Sequence, residues 1–123
     1  MSNLSQTFGK LGEKEAARYL KKNKYKIITT NFRTRAGEID IIGQKDGQLI
    51  FFEVKARNND LKGKPYESIT YWKLNHLKKA IYFYLLKNNL FDWKMRIDVV
   101  SIEFNADKSI KKLLHFENVE LQA

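Results

Sequence analysis

The chain has 123 residues, 43% of them hydrophobic, which fits one globular domain spanning residues 1–123. It contains no cysteine, which excludes disulfides and thiolate metal sites, and its apolar runs are too short to span a membrane, so we expect a cytoplasmic protein with no membrane association. Lysine and arginine total 23 against 14 acidic residues, and this net charge of +9 favours a polyanionic partner such as nucleic acid, with a charge that serves only solubility as the alternative.

The N-terminal half of the sequence predicts a helix followed by three strands. A capping residue and a periodic apolar face indicate the helix, and β-branched or apolar runs indicate the strands. The Asp46-Gly47 pair is a strong signal for a hairpin turn. The expected elements are a helix from Ser5 to about Lys22, an extended segment from Tyr25 to Asn31, and strands from Glu38 to Gln44 and from Gln48 to Ala56.

The C-terminal half predicts one long helix and two further strands. The polar segment from Arg57 to Glu67 holds the only proline of the chain and is predicted to be a mobile loop. The element order α-β-β-β-α-β-β predicts an α/β fold in which a mixed central sheet is flanked by helices. The expected elements after the loop are a helix from Ser68 to Lys87 and strands from Met95 to Phe104 and from Leu113 to Leu121.

Acidic residues interrupt two of the apolar strands, where an unpaired buried charge would be costly. If the hairpin pairs as its turn predicts, Asp40 and Glu53 converge from neighbouring strands on one divalent cation, with Lys55 beside them. Hard oxygen ligands favour Mg²⁺ or Mn²⁺ over Zn²⁺. Lys55 would then polarise the attacking water or stabilise negative charge on a phosphate. The alternative is an ion network among the three side chains that serves only the structure.

Strand alternation predicts which side chains share a face of the sheet. Glu38 and Asp40 are expected on one face of their strand, with Ile39 and Ile41 on the other. On the following strand, Glu53 and Lys55 are expected to share a face.

Each predicted helix carries one charge inside its apolar arc. Glu13 lies among the small and apolar residues of the first helix, and Lys10 and Lys14 lie on the opposite side. Lys73 lies within the covered arc of the second helix. One inward acid and one inward base would therefore face the same site, unless each side chain extends along the apolar surface to reach solvent.

The remaining polar residues give weaker signals. His76 and His115 have no metal-ligand spacing and are predicted to be surface or edge residues. Asp98 shares a strand face with Arg96 and is expected to pair with it or with another basic group, a catalytic role being the less favoured alternative. Basic residues that flank the site are predicted to contact phosphates; they are Arg33, Arg35, Arg57, Lys62 and Lys64.

With these residues the chain resembles the PD-(D/E)xK nuclease superfamily, which has the restriction-endonuclease-like fold. Asp40 matches the first acid and Glu53-Val54-Lys55 the (D/E)xK element, while Ile39 stands in place of the proline. More narrowly, the sequence is similar to the YraN-like family of small bacterial proteins. The matching residues are Gly9, Gly12-Glu13, Ala16, Tyr19-Leu20, Asn31, Arg33, Gly37-Glu38-Ile39-Asp40-Ile41-Ile42, Phe52-Glu53-Val54-Lys55, Arg57, Lys73 and Arg96-Ile97-Asp98-Val99-Val100.

The resemblance implies an αβββαβ core and Mg²⁺-dependent phosphodiester cleavage. Archaeal Holliday-junction resolvases are similar in size and carry a glutamate on the first helix, matched here by Glu13, and their two-fold symmetry leaves a homodimer open. On this resemblance Asp40 and Glu53 bind Mg²⁺ or Mn²⁺, and Glu13 is a further ligand, directly or through water. Lys55 positions the attacking water, and Lys73 holds a substrate phosphate or orients the site.

Two function hypotheses follow from the sequence. The favoured one is a metal-dependent endonuclease acting on DNA, on branched or single-stranded structures in particular. The alternative is a non-catalytic module with a nuclease-like fold that binds nucleic acid or a DNA-processing partner. The complete set of two acids and a lysine favours the nuclease, because a module that only binds gains nothing obvious from a metal site.

Overall fold

Within the part of the chain that the structure describes, two helices and five strands follow one another in the predicted order. The computed structural model describes residues 4–58 and 71–119, without the side chains of residues 4–7 and 71. The elements are helix α1 (Leu4–Lys22), strands β1 (Lys26–Arg33), β2 (Glu38–Lys45) and β3 (Gln48–Arg57), helix α2 (Tyr71–Asn88), and strands β4 (Lys94–Phe104) and β5 (Ile110–Phe116). The predicted α/β fold with an αβββαβ core is confirmed.

The strands form one mixed sheet in the order β1-β2-β3-β4-β5. Strands β3 and β4 are parallel and α2 connects them, whereas every other neighbouring pair is antiparallel. In the β2–β3 turn, Asp46 and Gly47 have positive φ angles of 51° and 76°. A type I′ hairpin turn requires positive φ at both central residues, so the predicted hairpin is confirmed. The turn sets a register in which Ile41 faces Phe52.

Apolar side chains cover both faces of this sheet. A carboxylate in β2 or β3 therefore lies in a region with little water, where its charge is costly without partners. The cluster on the α1 side contains Phe8, Ala16, Leu20, Tyr25, Ile41, Ile50, Phe52, Val100, Ile102 and Phe104. The cluster on the α2 side contains Ile39, Ile42, Leu49, Phe51, Leu77, Ala80, Ile81, Tyr84, Leu85 and Ile97.

The last strand differs from its prediction in both boundaries. Strand β5 begins at Ile110 rather than Leu113 and ends at Phe116. The chain reverses early because Asn105 N–H donates to the Ser109 carbonyl at 2.8 Å and closes a tight turn. The predicted end of this strand at Leu121, most of the predicted loop from 57 to 67 and the predicted helix start at Ser68 lie outside the described residues.

Neither helix in the described part of the chain combines the length and the apolar character needed to cross a membrane.

Helix α1 packs closely on the sheet at a glycine, Gly12. A Cβ atom on Gly12 would lie 2.5 Å from the Ala56 Cβ and 3.8 Å from the Val54 Cγ1. The absence of a side chain at this position thus permits close contact between α1 and β3. This contact brings Glu13, the next residue of the helix, close to the sheet.

The close contact at Gly12 leads to a prediction about stability. Gly12→Val is expected to lower the free energy of unfolding by about 1–3 kcal/mol, because the added side chain overlaps β3 and pushes the helix away. The matched control is Gly9→Ala on the same helix, where no atom lies within 4 Å of the added Cβ. The control is expected to gain up to about 1 kcal/mol from helix propensity. Equal effects of the two substitutions in urea unfolding would contradict the packing described here.

Candidate active site

The backbone pairing between β2 and β3 ends at Asp40. Paired residues reach Ile41 and Phe52, and the next step of this register would place Asp40 opposite Glu53. The Asp40 carboxylate accepts a hydrogen bond from the Val54 N–H at 2.8 Å. In the pairing of β2 with β3, the Asp40 side chain therefore accepts the hydrogen bond of the Val54 N–H, where a backbone carbonyl would normally accept it. As a result, two carboxylates from neighbouring strands meet at the point where the ladder stops.

The alternation predicted for β2 fails at the same place. Ile39 packs with Ile42 in the cluster on the α2 side, whereas Ile41 packs on the α1 side. The prediction that Ile39 and Ile41 share a face was therefore wrong. The physical reason is that regular alternation requires a regular ladder, and the ladder is interrupted where Asp40 pairs through its side chain.

Asp40 is a buried acid with few compensating partners. Asp40 is 8% exposed and Glu53 is 3% exposed. Burial raises the pKa of Asp40 from 3.8 to about 8, and the Glu53 charge adds to this rise. The Val54 N–H and the Lys73 ammonium oppose the rise without cancelling it. Asp40 therefore holds a proton at pH values at which an exposed aspartate would be ionised.

Lys73 reaches this pair from helix α2. Its Nζ lies 2.7 Å from the Glu53 Oε1, and its side chain is 40% exposed while that of Glu53 is 4% exposed. Burial alone would lower the pKa of Lys73, but its interactions with Glu53 outweigh burial and the pKa is raised. Lys73 is therefore a fully charged group that extends from solvent to the buried carboxylate.

Lys55 lies next to Lys73, and its pKa is shifted in the opposite direction. Burial lowers the pKa of Lys55 from 10.5 to about 8, and the hydrogen bond and charge of Lys73 lower it as well. The carboxylates of Glu53 and Asp40 act in the opposite direction. Near neutral pH the Lys55 amine is thus much easier to deprotonate than an ordinary lysine.

Glu13 approaches the same region from helix α1. Its pKa is raised mainly by burial and also by the charges of Glu38 and Glu53, while a hydrogen bond with Asn31 lowers it. Asn31, in β1, has a left-handed φ of 54°, a conformation that asparagine tolerates better than most residues. The sequence contained no specific signal that Asn31 would be the partner of Glu13.

Asp40 and Glu53 can supply two of the ligands of a hard divalent cation, but they do not form a complete ligand set. Within residues 4–58 and 71–119, no three histidine or acidic side chains lie close enough together to hold an ion on their own. Mg²⁺ commonly takes one or two carboxylates and completes its shell with water and phosphate oxygens. Asp40 and Glu53 satisfy that requirement. Direct ligation by Glu13 would need a different side-chain position, and its action through water stays a prediction.

Basic side chains border the acids on the β1 and α1 side. Arg33 Nε lies 3.3 Å from the Glu38 Oε2, and the Arg33 side chain is 75% exposed. Lys10 and Lys14 line a cavity of about 390 Å³ together with Glu13. The sequence had placed these two lysines on the opposite side of the helix from Glu13. Their long side chains nevertheless border the same cavity.

The other predicted phosphate contacts are more distant or not described. Arg35 is exposed in the turn between β1 and β2. This turn is held by Thr34, whose Oγ1 accepts hydrogen bonds from the backbone N–H groups of Ala36 and Gly37. Arg57 is the last residue of β3, two positions beyond Lys55. Lys62 and Lys64 lie outside the described residues.

Comparison with known sequences places this site within a bacterial family. The model described as "Uncharacterised protein family UPF0102" matches residues 12–102. The chain belongs to the UPF0102 family. The resemblance to the YraN-like family, which lies within the restriction-endonuclease-like nuclease superfamily, is thereby confirmed. All five predicted catalytic residues lie inside the matched segment: Glu13, Asp40, Glu53, Lys55 and Lys73.

Individual UPF0102 proteins match this chain over nearly their whole length. One from Syntrophomonas wolfei is 41% identical over 115 residues, which cover 94% of this chain and 98% of the relative. One from Clostridium kluyveri is 38% identical over 92% of this chain and 93% of the relative. One from Clostridium tetani is 43% identical over 85% and 86%, respectively.

A second buried acid, Asp98 in β4, has a different environment. Asp98 is fully buried and accepts two hydrogen bonds from Arg96, at 2.9 and 3.1 Å. His115 Nε2 and the Asn118 N–H donate to it at 2.8 and 2.9 Å. Burial alone would raise the pKa of Asp98, but these hydrogen bonds outweigh burial and the pKa is lowered. The predicted pairing of Asp98 with Arg96 is confirmed.

His115 belongs to this buried network. Its side chain is 8% exposed, and its Nδ1 lies 2.9 Å from the Tyr19 hydroxyl. His115 lies on the edge strand β5, as one of the two predicted alternatives states, but its side chain is not at the surface, because β5 carries the ring over Asp98 and against the aromatic residues of the α1 side. The network lies at the β5 edge of the sheet and contributes no side chain to the Asp40–Glu53 site.

Proposed function

We propose that this chain is a metal-dependent endonuclease that hydrolyses phosphodiester bonds in DNA. The observation that carries the proposal is the buried and poorly compensated carboxylate of Asp40, which lies beside Glu53 and two lysines. An ion network that serves only stability would balance its buried acid with hydrogen bonds, as the Asp98 network does. Asp40 has one backbone donor and a pKa raised to about 8. Ionisable groups perturbed in this way are concentrated at functional sites.

The cofactor that suits these residues is Mg²⁺ or Mn²⁺. Asp40 and Glu53 would hold it, because both supply hard oxygen ligands from rigid strands. When bound, such an ion lowers the pKa of water and neutralises charge at the scissile phosphate. Glu13 would accept a hydrogen bond from a water molecule on the α1 side of the site.

The two lysines have separate roles in this proposal. Lys55, with its pKa lowered to about 8, donates a hydrogen bond that orients the attacking water and withdraws a proton from it when the amine is neutral. Lys73 remains charged and extends to solvent, so its ammonium can contact a phosphate oxygen while it orients Glu53.

The basic residues around the site support a nucleic acid as the substrate. Cations that contact successive phosphates release counterions and hold a strand in register without reading its sequence. Lys10 and Lys14 border the cavity beside Glu13, and Arg33 lies near the same acid. Arg35 and Arg57 extend this basic border at the turn after β1 and at the end of β3. The choice of DNA follows from the superfamily resemblance, and the cytoplasmic location expected from the sequence is compatible with it.

The test is a cleavage panel with purified protein and either Mg²⁺ or Mn²⁺. The substrates are single-stranded, duplex, flap and four-way-junction DNA, each with an RNA equivalent. Asp40→Asn is the paired control, because asparagine keeps the size of the side chain and can still accept the Val54 N–H bond. The proposal predicts cleavage of at least one DNA structure by the natural protein and none by the variant.

One outcome of the same panel would favour the non-catalytic module. The Lys73–Glu53 ion pair at 2.7 Å already neutralises one of the two acids without a metal ion, as a binding module would require. Salt-dependent binding of DNA with no cleavage in either ion, identical in the protein and in Asp40→Asn, would replace the nuclease by that module.

Removal of the Lys55 amine should separate catalysis from stability. Lys55→Met keeps the length of the side chain and is expected to lower the cleavage rate by roughly 10²- to 10⁴-fold, the range for a positioned acid or base. The folded protein should lose no stability at pH 7, because burial disfavours the charged form of Lys55. Cleavage rates and urea midpoints measured on one preparation test both parts. A variant that unfolds but cleaves at the normal rate where folded would contradict this role.

A further inference from the structure

A small cavity adjoins Glu53 on the α2 side of the candidate active site. Its volume is about 200 Å³, and it lies between helix α2 and the end of the turn that connects β1 to β2. The lining residues are Gly37, Glu38, Glu53, Trp72, Lys73, His76 and Leu77. Glu53 and Lys73 thus form a wall that the cavity shares with the proposed catalytic centre.

An exposed tryptophan forms the outer wall. The Trp72 side chain is 68% exposed, the highest exposure among the large hydrophobic residues of the described chain. The His76 ring lies on it, with ring centroids 4.0 Å apart and planes inclined by 38°. His76 also donates its Nδ1–H to the Trp72 carbonyl at 2.8 Å. The helix therefore presents a paired aromatic surface whose histidine is held by a hydrogen bond.

The inner wall is held at a fixed distance from the helix. A Cβ atom on Gly37 would lie 2.4 Å from the His76 carbonyl oxygen, so the turn contacts the helix backbone directly. The Thr34 side chain fixes the same turn, because its hydroxyl donates to the Gly37 carbonyl at 2.9 Å. Backbone contact at Gly37 thus fixes the distance between the turn and helix α2 on this side of the cavity.

The geometry points to an unpaired nucleobase as the occupant, and we propose that this cavity receives one base of a single-stranded or splayed strand, stacked on Trp72. This inference rests on the proposed nuclease function. Planar bases stack on exposed aromatic rings, whereas a base within a duplex is stacked on both faces and cannot enter. A base in the cavity would place its own phosphate beside Lys73, next to Glu53.

Tryptophan fluorescence tests the contact without any cleavage. The chain contains two tryptophans, so Trp93→Phe leaves Trp72 as the only one. This variant is titrated at low salt in EDTA with a single-stranded thymidine oligonucleotide, and with an abasic strand of the same length and charge. The proposal predicts that the normal strand quenches Trp72 emission and that the abasic strand does not. Equal quenching by both strands would overturn it, as would the absence of single-strand binding.

Affinity measurements on Trp72 variants provide a second test. Trp72→Leu is expected to weaken binding of the single strand by roughly 5- to 100-fold and to leave duplex binding unchanged. Trp72→Phe, which keeps a ring, should recover most of the affinity. If both variants bind the single strand normally, the inference fails.

The failures of the inference and of the proposed function are distinguishable. Base-dependent quenching in a protein that cleaves nothing would retain the base site and reject the nuclease. Asp40-dependent cleavage at the same KM in Trp72→Leu and in the natural protein would retain the nuclease and reject the base site.

Discussion

Asp40→Asn is expected to abolish DNA cleavage and at the same time to make the metal-free protein more stable, by on the order of 5 kcal/mol at pH 8. The aspartate must be buried beside Glu53, which raises its pKa to about 8. Asparagine has nearly the same shape, carries no charge, and can keep the hydrogen bond from the Val54 N–H. Loss of activity with a gain of stability is the pattern expected of a group that serves chemistry.

The pH dependence of this effect has a defined sign. Asp40 ionises near pH 3.8 in the unfolded chain and near pH 8 in the folded protein, so between these values the folded state binds more protons. The natural protein should therefore lose stability as pH rises through this window, and the loss should be smaller in Asp40→Asn. Lys55 acts in the opposite direction, but only between about pH 8 and its unfolded pKa of 10.5.

Urea unfolding in EDTA at pH 5 and pH 8 measures this difference directly. The free-energy gap between the natural protein and Asp40→Asn should widen from pH 5 to pH 8. A variant that is less stable than the natural protein at both pH values would identify Asp40 as a structural residue.

Asp98→Asn is expected to have the opposite effect and to destabilise the protein by about 3–5 kcal/mol, a large part of the stability of an ordinary domain. The substitution removes the charge that compensates Arg96, whose side chain is 17% exposed. It also directs an amide N–H₂ toward donors of Arg96 or His115. Denaturant unfolding at pH 7 measures the loss. A decrease below about 1 kcal/mol would show that the buried network is dispensable.

A control for Asp98→Asn is available in the same network. Glu117 Oε1 lies 3.1 Å from the Arg96 Nη2, but the Glu117 side chain is 61% exposed. Glu117→Gln should therefore change stability by at most about 1 kcal/mol, as is typical of exposed ion pairs. Because the pKa of Asp98 is lowered by folding, its contribution is present above its unfolded pKa of 3.8 and is lost as pH falls through the folded value.

The two buried acids show why burial alone does not identify a catalytic residue. Asp98 accepts four hydrogen bonds and its pKa falls, whereas Asp40 accepts one from the backbone and its pKa rises. Both residues are acids within apolar segments that form strands, and they are distinguished only by the number and charge of their partners. That difference is why we propose a catalytic role for Asp40 and a structural role for Asp98.

Local signals in the sequence were sufficient for the fold. The Asp46-Gly47 turn predicted both the hairpin and the register that brings Asp40 toward Glu53. The apolar arcs of the helices predicted that Glu13 and Lys73 would approach the sheet, and Lys73 contacts Glu53 at 2.7 Å. The spacing of apolar residues and the residue types of a turn are properties of short segments, so a single sequence is enough to recognise them.

Features that depend on distant contacts were missed. His115 has no local signal for burial, because it is covered only when β5 lies beside β4 and meets Asp98. The broken alternation at Ile39 arises from a side chain that replaces a backbone acceptor. The cavity beside Trp72 requires Gly37 to contact a helix that lies far along the chain. No local pattern in a single sequence indicates that these residues lie close together in the fold.

The effect of Mn²⁺ on unfolding at pH 8 tests most directly whether Asp40 and Glu53 form the proposed cation-binding centre. Ligands that bind only the folded state raise stability by about 2.7 kcal/mol at one hundred times their Kd. We predict that Mn²⁺ raises the unfolding midpoint of the natural protein in a saturable way and leaves that of Asp40→Asn unchanged. Equal shifts in the two proteins, or none in either, would contradict the claim.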